Sequence, residues 1–378
     1  MVSIGIDSSR CRSGGSKAHL IGILSNFDPA QSVVSVIHIW SYQSLLDSLP
    51  DKPWLVKHNH LFLEGSIILQ LFWQFFLLPF YLLKSKCDIL FTADTSSMCL
   101  FSPSVVFNQD ILAYEPLIVK KYRYRSSYFR LIFIKYIQNI CISRSSGVIF
   151  LSKYSSALVQ SSLGSLPNYV HIPHGIDDSF RLTSNLRQDR IPDFDGPINF
   201  LYISNTDFYK NQPVVVSAVN LLRSAGYNVT LELIGGGCGP AQLILENLVN
   251  EYDPYSEFIK LTPFVDHSTL PAIIANADVF VFASSVESWG ITLAEAMAVG
   301  LPILCSNRSS LPEVLGDTGI YFDPDSALSL YYASLHLFSH PNLFYELPQA
   351  TRSRAASYTW HKCANLTFDF ILSTLLSL

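Results

Sequence analysis

The stretch ESWGITLAEAMAVGLPI, residues 287–303, decides the fold. An apolar run, VFVFASS at 279–285, leads into it, and a second at 302–305 closes it. Its middle, 293–299, has the residue types of a short helix. Gly300 and Pro302 end that helix, because glycine accepts the left-handed conformation that closes a helix and proline cannot extend one. Strand, helix, strand is a βαβ unit, and such units build parallel sheets. The same alternation extends outward. Runs at 198–204, 229–234, 259–261 and 319–322 read as strands, with helical spacing over 212–224, 241–250 and 268–276. These strands are continuous apolar runs, as in sheets covered on both faces.

The first half is less regular but of the same kind. Strands are expected at 2–6, 33–39, 54–57, 89–91, 105–107, 147–151 and 169–172, and helices at 17–24, 66–78, 126–142 and 154–162. The polar segment 183–197, with Pro192 and the Gly196-Pro197 pair, reads as a linker. The expected fold class is therefore α/β, with two doubly wound Rossmann-like domains and a cleft between them. The domains would be 1–182 and 198–355, with a terminal helix at 356–378 that can pack back toward the first. In such sheets, ligands sit beyond the carboxyl ends of the strands.

Composition narrows the functional classes. Of 378 residues, 49% are hydrophobic and 15% charged, and mean hydropathy is +0.27. A disordered chain is excluded, and contact with a membrane or partner is plausible. The seven cysteines form no CxxC pair, which argues against a zinc ribbon, an iron–sulfur cluster or a disulfide scaffold. Reduced thiols and an N-terminus without a signal-peptide pattern fit a cytoplasmic protein. Residues 1–182 carry 16 Lys and Arg against 11 Asp and Glu; the remainder carries 9 against 19. A basic half joined to an acidic half suggests two domains facing different partners. No nucleic-acid motif accompanies the basic half, so nucleic acid is not an expected partner.

Two carboxylates of the opening stretch are candidates for chemistry. Thr292-Leu-Ala-Glu295 has the form of a capping box, so Glu295 reads either as a helix cap or as a ligand group beside the positive end of the helix. Glu287 lies in the loop beyond the 279–285 strand, where it is either solvated or holds a polar ligand.

Two glutamates separated by seven residues, the second on a helix that ends in A-x-G-x-P, resemble glycosyltransferase family 4, whose fold is GT-B. Further segments are similar to that family in the expected order: SGGSKAHL at 13–20, HIPHGIDDSF at 171–180, SNTDFYKNQ at 204–212 and RSSLPEVLGDTGIYFDP at 308–324. The resemblance implies a retaining glycosyltransferase that moves a hexose from a UDP- or GDP-sugar to a glycan or lipid-linked acceptor, most like bacterial surface-polysaccharide enzymes. It implies donor-binding roles for Gly14, Gly15, Asn205, Lys210, Glu287, Ile291, Thr292 and Glu295. Lys210 would supply positive charge to the departing diphosphate, Glu287 would contact the transferred sugar and Glu295 the ribose. Many relatives have an arginine where this chain has Asn205, and a His-Asp pair where it has Gln109 and Asp110; Asp110 is then the candidate to position the sugar or acceptor. No cofactor is expected, since the nucleotide sugar is a substrate. Rival readings are a non-catalytic paralogue that partners an active enzyme, and a GT-B epimerase or phosphorylase.

Other signals are weaker. GGGCGP at 235–240 reads as a tight strand-to-helix turn rather than a dinucleotide fingerprint. Asp323-x-Asp325 and Asp193-x-Asp195 have a metal-binding form in unpromising places, so no metal is expected. His58, His60, His171 and His174 lack ligand spacing, and His19 reads as a core residue. The segment 66–83, SIILQLFWQFFLLPFYLL, reads as a helix buried in the first domain, with a membrane-surface helix or a span as alternatives. The run KKYRYRSSYFR at 120–130 places Lys120, Lys121, Arg123, Arg125 and Arg130 among tyrosines. It is either a solvated helix approach or a patch for a lipid-linked acceptor or an anionic membrane, the latter implying a peripheral position on the inner membrane face.

Overall fold

The computed structural model describes residues 1–12, 14–122, 126–184, 191–193 and 196–377. Thirteen strands among these residues form two parallel sheets. In the first, β1 (Val2–Asp7), β2 (Val34–Trp40), β3 (Leu55–His58), β4 (Ile89–Thr92), β5 (Ser104–Asn108), β6 (Gly147–Phe150) and β7 (Tyr169–His171) lie in the order β3-β2-β1-β4-β5-β6-β7. In the second, β8 (Ile198–Ile203), β9 (Val229–Gly235), β10 (Ile259–Pro263), β11 (Val279–Phe282), β12 (Ile303–Ser306) and β13 (Ile320–Phe322) lie in the order β10-β9-β8-β11-β12-β13. Each expected strand is present to within three residues at either end. Each sheet starts at its centre, grows to one side, then returns to grow to the other. The strand order therefore reverses at β1/β4 and at β8/β11, and the loops beyond those strand ends diverge to leave room for a ligand. This is the GT-B fold.

The chain divides into two compact units, Met1–Gly175 with Tyr358–Leu378, and Ile176–Ser357. The first unit closes at Gly175 rather than at 182, because the helix Asp178–Ser184 buries Phe180 in the second unit. Most of the 183–197 linker lies outside the described residues. The helix Trp360–Leu376 belongs to the first unit. It packs on the helix Gly14–Asn26, where Phe368 stacks on Phe27 at 3.9 Å. A Cβ on Gly22 would fall 2.3 Å from the Trp360 ring, so only glycine lets the two helices come this close.

The helix expected at 66–78 is longer, Ile67–Lys84, with a π-helical turn at Trp73–Leu77. It is not the buried helix that its composition suggested. One side, with Trp73, Leu78 and Leu82, packs into a cluster with Trp40, Leu63, Cys87 and Leu90, and the other faces solvent. Leu82 reaches the sheet at Gly5, where a Cβ would meet its side chain at 2.2 Å.

Candidate functional site

Lys210 and Glu287 meet where the strand order of the second sheet reverses. Beyond β8, the Asp207 carboxylate accepts the Phe208 N–H (2.7 Å) and starts a single 3₁₀ turn, Phe208–Lys210. Asn211, with φ 54°, ends that turn and opens the helix Gln212–Ser224. Its side-chain amide donates to the Ala283 carbonyl (2.9 Å) and to Ser285 Oγ (2.6 Å), while the Ser285 N–H donates to the Tyr209 carbonyl (2.7 Å). The buried Tyr202 hydroxyl donates to the Lys210 carbonyl (2.7 Å). The loops after β8 and β11 are thus bonded to each other at the lysine.

The Lys210 side chain is 10% exposed; its Nζ lies 2.5 Å from Glu287 Oε1 and 5.0 Å from the Tyr209 ring centroid. Glu287 is held through its backbone. Its carbonyl accepts from Ser309 Oγ (2.7 Å) and Ser310 Oγ (2.8 Å), and its N–H donates to Ser309 Oγ (3.1 Å). A largely desolvated ammonium–carboxylate pair interacts far more strongly than one in water, and losing either partner leaves the other charge uncompensated.

Glu295 stands on the helix Ile291–Val299, which glycines in the left-handed conformation bracket: Gly290 at φ 91° and Gly300 at φ 85°. This corrects the capping-box expectation. The helix starts one residue before Thr292, so Thr292 lies inside it and caps nothing, and Glu295 does not turn back to the helix start. Instead Glu295 is 3% exposed, and its Oε1 lies 2.7 Å from His267 Nε2. Its Oε2 has no hydrogen-bond partner. Burial raises the Glu295 pKa against the opposing effect of His267, and the bond to Glu295 raises the His267 imidazole pKa in turn. A buried carboxylate oxygen left unpaired costs about 1–3 kcal/mol, which a hydroxyl donor would recover. Ile291 and Thr292, both half-buried, lie in the first turn of this helix, where backbone N–H groups have no partner within the helix.

The glycine run after β9 borders the same loop. A Cβ on Gly235 (φ 126°) would lie 2.5 Å from the Ser204 carbonyl, and the Thr206 N–H donates to the Gly236 carbonyl (2.7 Å). These glycines let the two loops lie backbone against backbone; Asn205, between them, is exposed. Asp323 and Asp325 face Arg308, at 3.0 and 3.9 Å. Asp195 lies outside the described residues. Among the described residues, no group of three or more His, Cys, Asp or Glu could hold a metal ion.

In the first unit the expected glycine loop is the start of a helix. Gly14 has φ 64° and open space around its Cβ position, and a Cβ on Gly15 would lie 3.8 Å from His174 Nε2. Ser13 lies outside the described residues. Beneath them His19 is fully buried, stacks on Phe107 at 4.0 Å and places Nδ1 3.2 Å from His174 Nδ1. Burial holds both imidazoles neutral, with the His174 pKa down to about 3. At the end of β1 the buried Asp7 carboxylate accepts from Ser9 Oγ (2.6 Å), Ser97 Oγ (2.7 Å) and Gln74 Nε2 (2.8 Å). Asp110, beyond β5, is exposed and accepts the Leu112 N–H (3.0 Å). Lys121 and Arg130 are exposed; Arg123, Arg125 and the side chain of Lys120 lie outside the described residues.

The structure thus pairs Lys210 with Glu287, and Glu295 with His267. His267 was not anticipated from the sequence. Asp266-His267-Ser268 has the pattern of an ordinary turn, which it also forms, with Asp266 Oδ1 accepting the Ser268 N–H at 2.8 Å.

The sequence model of a family described as "Glycosyl transferases group 1" matches residues 186–355. An O-antigen chain mannosyltransferase B from Escherichia coli is 30% identical over 172 residues, which are 45% of this chain and 44% of that protein. The match therefore spans less than half of that relative. Among solved structures, a sucrose-phosphate synthase from Thermosynechococcus elongatus superposes with a TM-score of 0.80 at 16% identity, covering both chains fully. Anabaena HepE, solved in complex with UDP and glucose, does so with a TM-score of 0.73 at 17% identity, again over both whole chains. At these identities the likeness establishes the fold.

Proposed function

We propose that this chain, whose residues 186–355 match the glycosyl transferases group 1 family, is a retaining hexosyltransferase that uses a nucleoside-diphosphate sugar and needs no metal. The observation that carries this reading is the Lys210–Glu287 pair at the β8/β11 reversal. When the bond between the anomeric carbon and the diphosphate breaks, the electron pair leaves with the diphosphate. A positive charge fixed beside that oxygen lowers the barrier, because the protein does not have to reorganise to meet the new charge. Lys210 is such a charge. Its carbonyl and both neighbouring residues are bonded into the sheet loops, and Glu287 holds its ammonium. In this reading the ammonium turns to the diphosphate when donor binds, and Glu287 is left to accept hydrogen bonds from hydroxyls of the transferred sugar.

The unpaired Oε2 of Glu295 suits a ribose hydroxyl. The first-turn N–H groups of Ile291 and Thr292 suit phosphate oxygens, which are favoured at the positive end of a helix. Gly14, Gly15 and Asn205 are assigned to the donor, and Asp110 to sugar or acceptor positioning, on sequence resemblance. A metal-free mechanism is supported by Arg308, which already faces the carboxylates of Asp323 and Asp325. The relative from Escherichia coli is named for mannosyl transfer to an O-antigen chain, which supports a mannosyl or other hexosyl donor and a glycan or lipid-linked acceptor.

The test is a panel of UDP- and GDP-hexoses with thermal melting and donor hydrolysis as readouts, each with and without EDTA. One donor at about 100 times its Kd should stabilise the protein by about 2.7 kcal/mol, and turnover should be unchanged by EDTA. No shift with any nucleotide sugar would reject the donor reading. Strict dependence on manganese or magnesium would reject the metal-free one.

A further inference from the structure

We propose that the first unit carries a membrane-docking face that inserts apolar side chains into the interface of an anionic phospholipid bilayer. Two helices build it. On Ile67–Lys84, the residues Ile68, Phe72, Phe76, Phe80 and Leu83 are exposed, spaced as one stripe along the helix, and Ile68 is 74% exposed. On Ser126–Arg144, the residues Phe129, Ile132, Phe133, Tyr136 and Ile140 do the same, and Phe129 is 75% exposed. The two helices flank a common cavity. Phe75 from the first helix and Ile137, Ile140 and Arg144 from the second line one cavity together with Leu100 and Phe101. Ten large apolar side chains in two neighbouring stripes exceed what a protein surface ordinarily leaves to water.

The helix Ile67–Lys84 is long and apolar enough to span a bilayer, but its inner side is already committed. Trp73, Leu78 and Leu82 are in the core, and Gln74 donates to Asp7 Oδ2 and to Ser9 Oγ (2.9 Å) inside the unit. A span would tear these contacts out and place Gln74 in hydrocarbon. Lying in the plane of the interface keeps the inner side packed and gives the outer side an apolar solvent.

Charge selects the occupant. No Asp or Glu occurs between Glu64 and Asp88, or between Glu115 and Asp177. Lys84, Lys86, Lys121, Arg130 and Arg144 are exposed on these two segments. A two-fold dimer through this face would set each basic rim against its own copy, whereas a leaflet of anionic lipid meets the same rim with opposite charge. The apolar stripes enter the acyl boundary and the cations reach the headgroups.

The test sediments the full chain with vesicles of phosphatidylcholine alone and of phosphatidylcholine mixed with phosphatidylglycerol. Binding to the mixed vesicles is expected, and part of it should survive a high-salt wash, because apolar insertion is not screened by ions. Ile68→Ser, Phe76→Ser and Phe80→Ser combined should lower vesicle binding by about tenfold or more with an unchanged melting temperature, since all three side chains are exposed. Lys84→Gln with Arg144→Gln should remove much of the preference for phosphatidylglycerol. The proposal is overturned if the wild type sediments with neither vesicle, if the triple serine variant binds as the wild type does, or if salt releases all of the bound protein, which would leave a basic rim without insertion. A self-association that the triple variant abolishes, without vesicle binding, would give the face to a second copy of the chain.

Discussion

The two units share a strand order and differ in what they do with it. Each starts its sheet at the centre and reverses beside the first strand. In the second unit, the loops at that reversal are bonded to each other and hold a cation against a carboxylate, Lys210 against Glu287. In the first unit, the corresponding strand end, after β1, holds a carboxylate satisfied by neutral partners, Asp7 with Ser9, Ser97 and Gln74. At one reversal point opposite charges are paired; at the other a buried carboxylate meets only hydroxyl and amide donors. A shared topology therefore fixes where a site can form, and the side chains of a few loop residues decide whether it does.

The sharpest way to break this contrast is to discharge the charged reversal point. Lys210→Ala is expected to lower sugar transfer by about 10²–10³ at saturating donor, the loss typical of removing one fixed charge or donor at a transition state. A rate equal to the wild type would show that the diphosphate lies elsewhere.

A second prediction compares glycines of the two units. Gly235→Ala must force a Cβ against the Ser204 carbonyl in a left-handed backbone, and is expected to destabilise by about 2–4 kcal/mol, the range of strain plus overpacking. Gly14→Ala has the same kind of φ but open space, and should cost only about 1–2 kcal/mol. Chemical denaturation measures both. Equal losses would show that the loops after β8 and β9 are not held as close as they appear here.

The smallest effect concerns His267. Its pKa is raised by the bond to Glu295, so the stabilisation is complete below the usual histidine value of about 6.5 and is lost as pH rises through the raised value. The melting difference between wild type and His267→Gln should therefore shrink as pH rises above about 6.5. Because the imidazole is partly exposed, the contribution should be near the roughly 0.2–1 kcal/mol of exposed pairs. A difference that grows with pH would reverse the assigned proton.

The sheets were legible in the sequence because their central strands, such as β4, β6, β11 and β12, are buried along their whole length and read as almost purely apolar runs. The site was legible in part. Lys210 and Glu287 sit next to strand ends that the pattern locates. The capping box at Thr292 was misread because Gly290 turns the chain one residue earlier, a backbone event that the T-x-x-E spacing does not encode. His267 approaches Glu295 from 28 positions away, and no local pattern links them. The helix Ile67–Lys84 shows another limit. Its composition is that of a core helix, and only the fold reveals that a single side of it finds protein to pack on.

The return of Trp360–Leu376 to the first unit has a consequence for how the protein is made. Trp360 fills the space beside Gly22 and Gly175, and Phe368 covers Phe27, so the first unit lacks part of its core until residue 376 has been synthesised. The second unit, Ile176–Ser357, is continuous in sequence and has all its strands before then. Domains generally fold as units during synthesis, at about 5–20 residues per second, and usually the N-terminal one completes first. Here the order of completion is inverted. The first unit must wait, with part of its core missing, for a helix that follows the second unit in the sequence.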